Sequence, residues 1–324
     1  MSTTVRTPTP PSLYDQVALE TASVVIRRYS TSFGLASRLL AQPIRQHVEN
    51  IYALVRLADE VVDGVAASAS LSDGEITERI DALERETVTA MQCGYSTNLV
   101  VHAFGYTARR VGIGEELTAP FFRSMRSDIL ETEHTQESFD DYVYGSAEVV
   151  GLMCLAAFLE GEPVGDTERA GLTRGARHLG AAFQKINFLR DLAADFGTLG
   201  RSYFPGIDVS TFTEAEKRRI LDDIDDDLRI ARASLPGLPR TCRRAVALAQ
   251  GLFEELTERL RATPASVLAT ARIRVPNPVK ARIAAGAAVG RLPRARQPRA
   301  NATATAGAFG AFGARDDNEG DGTA

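Results

Sequence analysis

The sequence predicts an all-α helical bundle closed around a central cavity, and three observations carry that expectation. Apolar residues recur mostly at helical spacing. Alternating β-branched runs between Gly/Pro turns are hard to find. Two strongly apolar, helix-like segments each carry aspartates four residues apart, Asp59/Asp63 in LADEVVDG and Asp191/Asp195 in NFLRDLAAD. Residues four apart on a helix stand on one face, so each pair forms a two-carboxylate claw. No internal repeat is visible, which sets a solenoid aside.

A chain of 324 residues, 44% hydrophobic and 24% charged, can bury a substantial core. A net charge of -5 and a pI of about 5.6 supply no general basic field, so nucleic acid is not an expected partner. Cys93, Cys154 and Cys242 are isolated, and His47, His102, His134 and His178 are scattered. Neither set has zinc spacing or suggests a disulfide scaffold. The opening MSTTVRTPTPPS lacks an apolar signal core, and VVGLMCLAAFL is short for a membrane span. A cytoplasmic chain without a span is the expectation.

Residues 1–11 are Thr/Pro-rich and residues 290–324 combine Ala/Gly/Thr with blocks of charge, so both ends are expected to be disordered. Residues 12–289 read as one domain. Helices are expected at 12–28, 33–41, 44–64, 73–92, 96–111, 116–132, 136–160, 166–196, 213–234, 239–262 and 277–288.

Along the chain, YSTSFGLASRLL places Ser30 and Ser32 before an apolar helical run. They read equally as N-caps and as part of an anion site at a helix N-terminus. In IYALVRLADEVV nine of twelve residues are apolar, and Arg56, Asp59 and Asp63 fall in one narrow sector. Such a helix either lines a buried polar pocket or carries a thin solvated stripe. DDYVYGSAEVVGLMCLAAF concentrates Gly145, Ser146, Ala147 and Gly151. Close helix packing and a kink admitting a long apolar ligand are both open readings there.

In LGAAFQKINFLRDLAADF, Gln184, Asn187, Asp191 and Asp195 lie within about 80° of one another by helical geometry, with Arg190 at the edge. Phe183, Ile186, Leu189 and Phe196 take the other sides. Amides beside carboxylates can ligate metal or donate to phosphate oxygens. The five aspartates of LDDIDDDLRIARASL point around their helix and read as a solvated face. The arginines between 291 and 299 read as a basic tail.

Carboxylates set in apolar helices are costly unless paired or bound to cations, so the two claws are expected to face each other across metal ions. Oxygen-only ligation favours magnesium, with manganese as its substitute. Magnesium commonly completes its shell with substrate phosphate oxygens. A phosphorylated substrate follows.

Over nearly all of residues 12–288 the chain resembles the squalene/phytoene synthase family of head-to-head prenyl transferases. The resemblance rests on YSTSF, IYALVRLADEVVD, YVYGSAEVVGLM and QKINFLRDLAADFGTLGRSYFP, in that order. It implies an isoprenoid synthase-type helical bundle whose cavity holds two prenyl diphosphates and a magnesium cluster. Asp59, Asp63, Asp191 and Asp195 then look like metal-binding carboxylates, with Arg56 beside them. Ser30, Ser32, Tyr52, Gln184, Asn187 and Arg190 match positions that hold diphosphate or its metals, and Arg201, Tyr203, Tyr142 and Arg272 complete the polar lining. Two departures stand out: the stretch from Asp195 to Arg201 is one residue longer than the commonest form, and Glu148 stands where the family often has a small residue.

The resemblance further implies carotenoid-type chemistry. Two geranylgeranyl diphosphates would condense through a cyclopropyl diphosphate to phytoene, without NADPH. Squalene or dehydrosqualene formation from farnesyl diphosphate is the alternative, and a non-catalytic partner protein of the same fold is a third reading. Small residues at Gly34 and Ser37 on the expected cavity wall favour the longer substrate. Because substrates and product are lipidic, peripheral contact with the inner face of a membrane is also expected.

Overall fold

Helix signals written into the chain set most of the element boundaries. The computed structural model describes residues 11–63, 69–131, 133–199 and 203–290, with side chains in the third stretch described to residue 193. Ser12 and Asp15 form a capping box that starts α1 (Leu13–Tyr29). Ser30 accepts from Phe33 N at 3.0 Å and starts α2 (Thr31–Ser37), two residues earlier than the sequence suggests. α3 (Ile44–Val62) carries the first claw. The Ser72/Glu75 box opens α4 (Asp73–Cys93), which Gly94 closes at φ 81°. Asn98 caps α5 (Leu99–Val111), and α6 (Glu115–Leu130) follows.

The expected helix over 136–160 divides. α7 (Gln136–Val143) passes through a π-helical turn, Tyr144–Glu148, into α8 (Val149–Phe158). Two close approaches hold this turn. A Cβ on Gly145 would lie 2.1 Å from Ser124 Oγ and 2.4 Å from Pro120 O of α6; one on Gly180 would lie 2.5 Å from Ala147 O. The close-packing reading of this segment is realised, and the helical register breaks at the turn. The stretch Gln136–Phe158 is long and apolar enough to cross a membrane by length and composition, with a mean hydropathy of 1.2. Here it packs between α6 and the long α9 (Asp166–Leu199).

α10 (Glu214–Ser234) packs along α9, followed by α11 (Arg240–Ala262), the short α12 (Ala265–Leu268) and α13 (Asn277–Ala288). Among the described residues there is no β-strand. The solvated face expected of the α10 aspartates holds for Asp222, Asp223, Asp225 and Asp226 and fails for Asp227. Ile220, Leu221, Ile224 and Leu228 bury a stripe, and Asp227 falls at its edge. There it lies 2.6 Å from His178 Nδ1 and accepts from Lys185 Nζ at 2.9 Å, joining α10 to α9.

One large core block gathers α1, α3, α4, α5, α6 and α8; another gathers α7, α9, α10 and α11 with the segments that follow. A cavity of about 970 Å³ is lined from both. Of the two ends expected to be disordered, residues 1–10 and 291–324 lie outside the described residues.

Candidate active site

The cavity is polar at one end and apolar at the other. From α1 and α2 come Tyr29, Ser30 and Ser32; from α3, Tyr52, Arg56, Asp59 and Asp63. α9 contributes Gln184, Asn187, Arg190 and Asp191, and the segment after α12 contributes Arg272. Tyr142 and Tyr203 stand on the same wall. Every candidate whose side chain is described therefore lines one cavity. Asp195 and Arg201 are the two exceptions: the Asp195 side chain and the whole of Arg201 lie outside the described residues. Beyond the polar end the lining becomes Leu155, Phe158, Leu172, Leu179, Leu235 and Leu238.

Helical spacing explains the first claw. Arg56 donates to Asp59 Oδ2 at 3.3 Å and also pairs with Glu60. Its guanidinium lies 4.5 Å from the centre of the Tyr29 ring. Its Nε is buried and has no hydrogen-bond partner. Burial works against the Arg56 charge, but bonding to Glu60 and the charges of Asp59 and Glu60 hold its pKa above the ordinary value. The Asp59 side chain lines the cavity and is packed within the helix bundle around it. That burial, with Asp63 and Glu60 adding, pushes its pKa up to about 7 against the pull of Arg56.

The second claw meets cations from the protein itself. Arg190 Nε donates to Asp191 Oδ1 at 3.0 Å, with its other arm on Oδ2, and Arg272 Nε lies 2.8 Å from Oδ1. Ser30 takes the capping reading, and its side chain also bonds the Tyr52 hydroxyl on the cavity wall. Ser37 lines the cavity and donates to Gly34 O at 3.1 Å, whereas Gly34 is not on the wall. Glu148 does not reach the cavity; Arg177 Nε donates to it at 2.6 Å.

Sequence reasoning missed Asp128. It is buried on α6, lines the cavity, and accepts from Tyr142 at 2.7 Å and from Tyr203 at 3.1 Å. A faint signal existed, since Ser124 and Asp128 sit one turn apart on the helix that buries Phe121, Phe122 and Met125. Lys280 was also missed; it donates to Thr31 Oγ1 at 3.0 Å. Cys154, on the apolar wall, has its thiol pushed up to about 12 by burial and stays protonated.

Among the described residues, no three Asp, Glu, His or Cys side chains form a ready-made metal cage. The donors nevertheless suit a hard cation. They are all carboxylate oxygens, set on two walls of one cavity, and burial, with Asp63 and Glu60 adding, raises the pKa of Asp59, the opposite of what a bound cation would do.

An all-α bundle closed on one cavity, with acidic faces at one end and an apolar depth at the other, is the architecture of an isoprenoid synthase-type fold. The chain belongs to the squalene/phytoene synthase family, whose profile matches residues 26–278. Members of this family are prenyltransferases that join prenyl diphosphates head to head. The phytoene synthase of Pseudescherichia vulneris is 26% identical over 269 residues, covering 76% of this chain and 84% of that protein. The 4,4'-diapophytoene synthase of Staphylococcus haemolyticus is 27% identical over 204 residues, covering 63% and 66%. A crystal structure of a dehydrosqualene synthase superposes with a TM-score of 0.71 at 21% identity, covering 85% of this chain and 96% of the other.

Proposed function

We propose that the cavity condenses two geranylgeranyl diphosphates head to head into phytoene, through a cyclopropyl diphosphate. The observation that carries this reading is the division of the cavity into a charged end and an apolar depth. At about 970 Å³ it stands at the top of the range of roughly 300–1,000 Å³ usual for small-molecule sites. Asp59, Asp63, Asp191 and Asp195 would hold magnesium, or manganese in its place. When bound, such ions neutralise the charge of a leaving diphosphate.

The chain's own residues do the rest. Arg56, Arg190 and Arg272 offer charge-assisted donors to diphosphate oxygens, and Ser30, Ser32, Tyr52, Gln184 and Asn187 orient it. The leucine-lined depth seats the prenyl tails and excludes the water that would quench an allylic cation. No reductant enters phytoene formation. The hydrocarbon product suits release into a lipid bilayer, so a peripheral position at the cytoplasmic face of a membrane belongs to this reading.

Support for the longer substrate comes from Ser37, a small residue on the cavity wall, and from the phytoene synthases among the relatives. Two observations favour farnesyl diphosphate and a thirty-carbon product instead. One is the Staphylococcus relative. The other is the trio Phe33, Phe183 and Phe253, two of whose rings stack at 3.8 Å inside the cavity.

Incubating the protein, and Asp59→Ala as control, with magnesium and either prenyl diphosphate, with and without NADPH, decides among these readings by product mass. A forty-carbon hydrocarbon made without NADPH and absent from the control supports phytoene synthesis. A thirty-carbon product moves the chain to the second reading, and no product favours a partner protein. Ser37→Phe is expected to shift use toward the shorter diphosphate.

A further inference from the structure

One arginine grips both ends of the π-helical turn from outside the cavity. Arg177 on α9 donates from Nε to Glu148 Oε2 at 2.6 Å, and its guanidinium carbon lies 5.2 Å from the centre of the Tyr144 ring. Tyr144 and Glu148 are the first and last residues of the turn. Neither of them lines the cavity, nor does Arg177. Between them, Gly145 presses on Pro120 and Ser124 of α6, whereas Ser146 and Ala147 stand on the cavity wall. Ser146 Oγ is buried and has no hydrogen-bond partner in the protein, so its own side chain does not fix the direction in which the residue points. The backbone of the turn fixes it.

That backbone leans on one face of α9. A Cβ on Gly151 would lie 2.5 Å from Ala176 O, and one on Gly180 would lie 2.5 Å from Ala147 O. Such approaches of bare backbone set how near the helices come. The contacts of Arg177 are directional, and they set how the turn is rotated.

Rotation matters because a π turn takes up one residue more than an α turn, so whatever follows it is turned by about 100° relative to an uninterrupted α-helix. Tyr142 before the turn and Val150 after it both line the cavity. Eight residues apart on a plain α-helix, they would point about 80° away from each other. Val150, Cys154 and Phe158 carry the same wall on into the apolar depth. The register of the turn therefore selects the face of α8 that meets whatever fills that depth.

We propose, on the reading that the cavity condenses prenyl diphosphates, that Arg177 is a positioning residue that locks the register of the π-helical turn and so sets the length of prenyl chain the cavity accepts. It acts from outside, through Tyr144 and Glu148. With the grip lost, the extra residue of the turn can migrate along the helix, α8 rotates, and Val150, Cys154 and Phe158 offer the tail a different outline. Arg177 is half-exposed. A surface ion pair and a cation–ring contact together bias an equilibrium roughly tenfold. That bias suffices to select between two registers and is too small to hold the fold.

The test supplies geranylgeranyl and farnesyl diphosphate together with magnesium and reads, by product mass, the share of hydrocarbon built from the diphosphate that wild type disfavours. In Arg177→Met, which keeps the length of the side chain and removes its charge, this share is expected to rise about tenfold. Arg177→Lys restores a cation opposite Glu148 and is expected to bring the share back toward wild type. Glu148→Gln should act in the same direction as Arg177→Met but less, and the Arg177→Met/Glu148→Gln pair should be no worse than Arg177→Met alone, because both remove one contact. Melting temperatures are expected to stay within a few degrees of wild type. An unchanged share in Arg177→Met would overturn the proposal, as would an equal rise in Arg177→Lys or a wild type that uses both diphosphates equally. Should Arg177→Met fail to fold, Glu148→Gln, which preserves size, carries the same comparison. A wild type that binds prenyl diphosphate and makes no coupled product would instead overturn the function on which the inference stands.

Discussion

Arg272 Nε stands 2.8 Å from Asp191 Oδ1, tying the segment after α12 onto the second acidic face of the cavity. With Arg190 on the same carboxylate, Asp191 is countered by guanidinium groups wherever no other cation takes their place. In the proposed function the same Arg272 also meets a diphosphate. Replacing it therefore acts on two ligands in opposite senses.

For Arg272→Ala, the magnesium concentration at half-maximal activity is expected to fall, because Asp191 no longer has to exchange a guanidinium for the ion. KM for the prenyl diphosphate is expected to rise about tenfold, the value of one charge-assisted hydrogen bond. Titrating magnesium at saturating substrate separates the two effects. A half-saturation point that stays put would show that the ion pair does not compete with the metal.

Asp59 carries a stability cost at neutral and alkaline pH. Its folded pKa of about 7 lies above the ordinary 3.8, so the folded state binds more protons than the unfolded chain between these values. The contribution of this group is therefore favourable below pH 4 and is lost as pH rises through 7. In metal-free protein at pH 8, Asp59→Asn should raise the melting temperature by roughly a few degrees while abolishing condensation. At pH 4.5 the gain should vanish. An Asn variant that melts lower than wild type at pH 8 would contradict the sign.

His47 supplies the opposite slope. It is buried, with its ring nitrogens 3.0 Å from Thr107 Oγ1 and 3.1 Å from Glu160 Oε2. Burial holds its pKa below 6.5, against the pull of Glu160. As pH drops below about 6.5, the unfolded chain takes up a proton that the folded state resists, and stability falls. Urea midpoints measured between pH 7.5 and 5.5 should decline less in His47→Gln than in wild type. Parallel declines would remove His47 as the cause.

Gly180→Ala probes the clamp on the π-helical turn. The added methyl would sit 2.5 Å from Ala147 O and 2.9 Å from its carbonyl carbon, both backbone atoms with no side-chain freedom to yield. Overpacking of this kind costs about 1–3 kcal/mol, read as a lower urea midpoint at unchanged slope. A variant as stable as wild type would mean that the two helices can part without cost.

Much of this architecture was readable before any coordinates. α13 spans the very residues the apolar pattern marks, and α3, α4, α10 and α11 agree within one or two, because long amphipathic helices with flanking caps carry their own boundaries. The first claw was legible because a narrow polar sector in an apolar helix has few other uses. The π-helical turn was not, since small residues permit several backbone paths and only contacts with Pro120 and Ala147 select one. Asp128 escaped for a related reason. In SMRSDILETE it looks like one more surface charge, and its partners Tyr142 and Tyr203 lie 14 and 75 residues away. A buried carboxylate whose partners are distant in sequence has no local signature.

α9 runs without interruption from Asp166 to Leu199, about 50 Å at 1.5 Å per residue. Leu172, Ala176, Leu179 and Phe183 grade the apolar depth, and Gln184, Asn187 and Asp191, turned by about 80° around the same helix, line the charged end. One rod thus indexes tail and headgroup together. A single residue inserted between Leu179 and Gln184 would leave both halves helical and rotate Asp191 by about 100° relative to Leu172, so that a substrate could be gripped at either end but no longer at both.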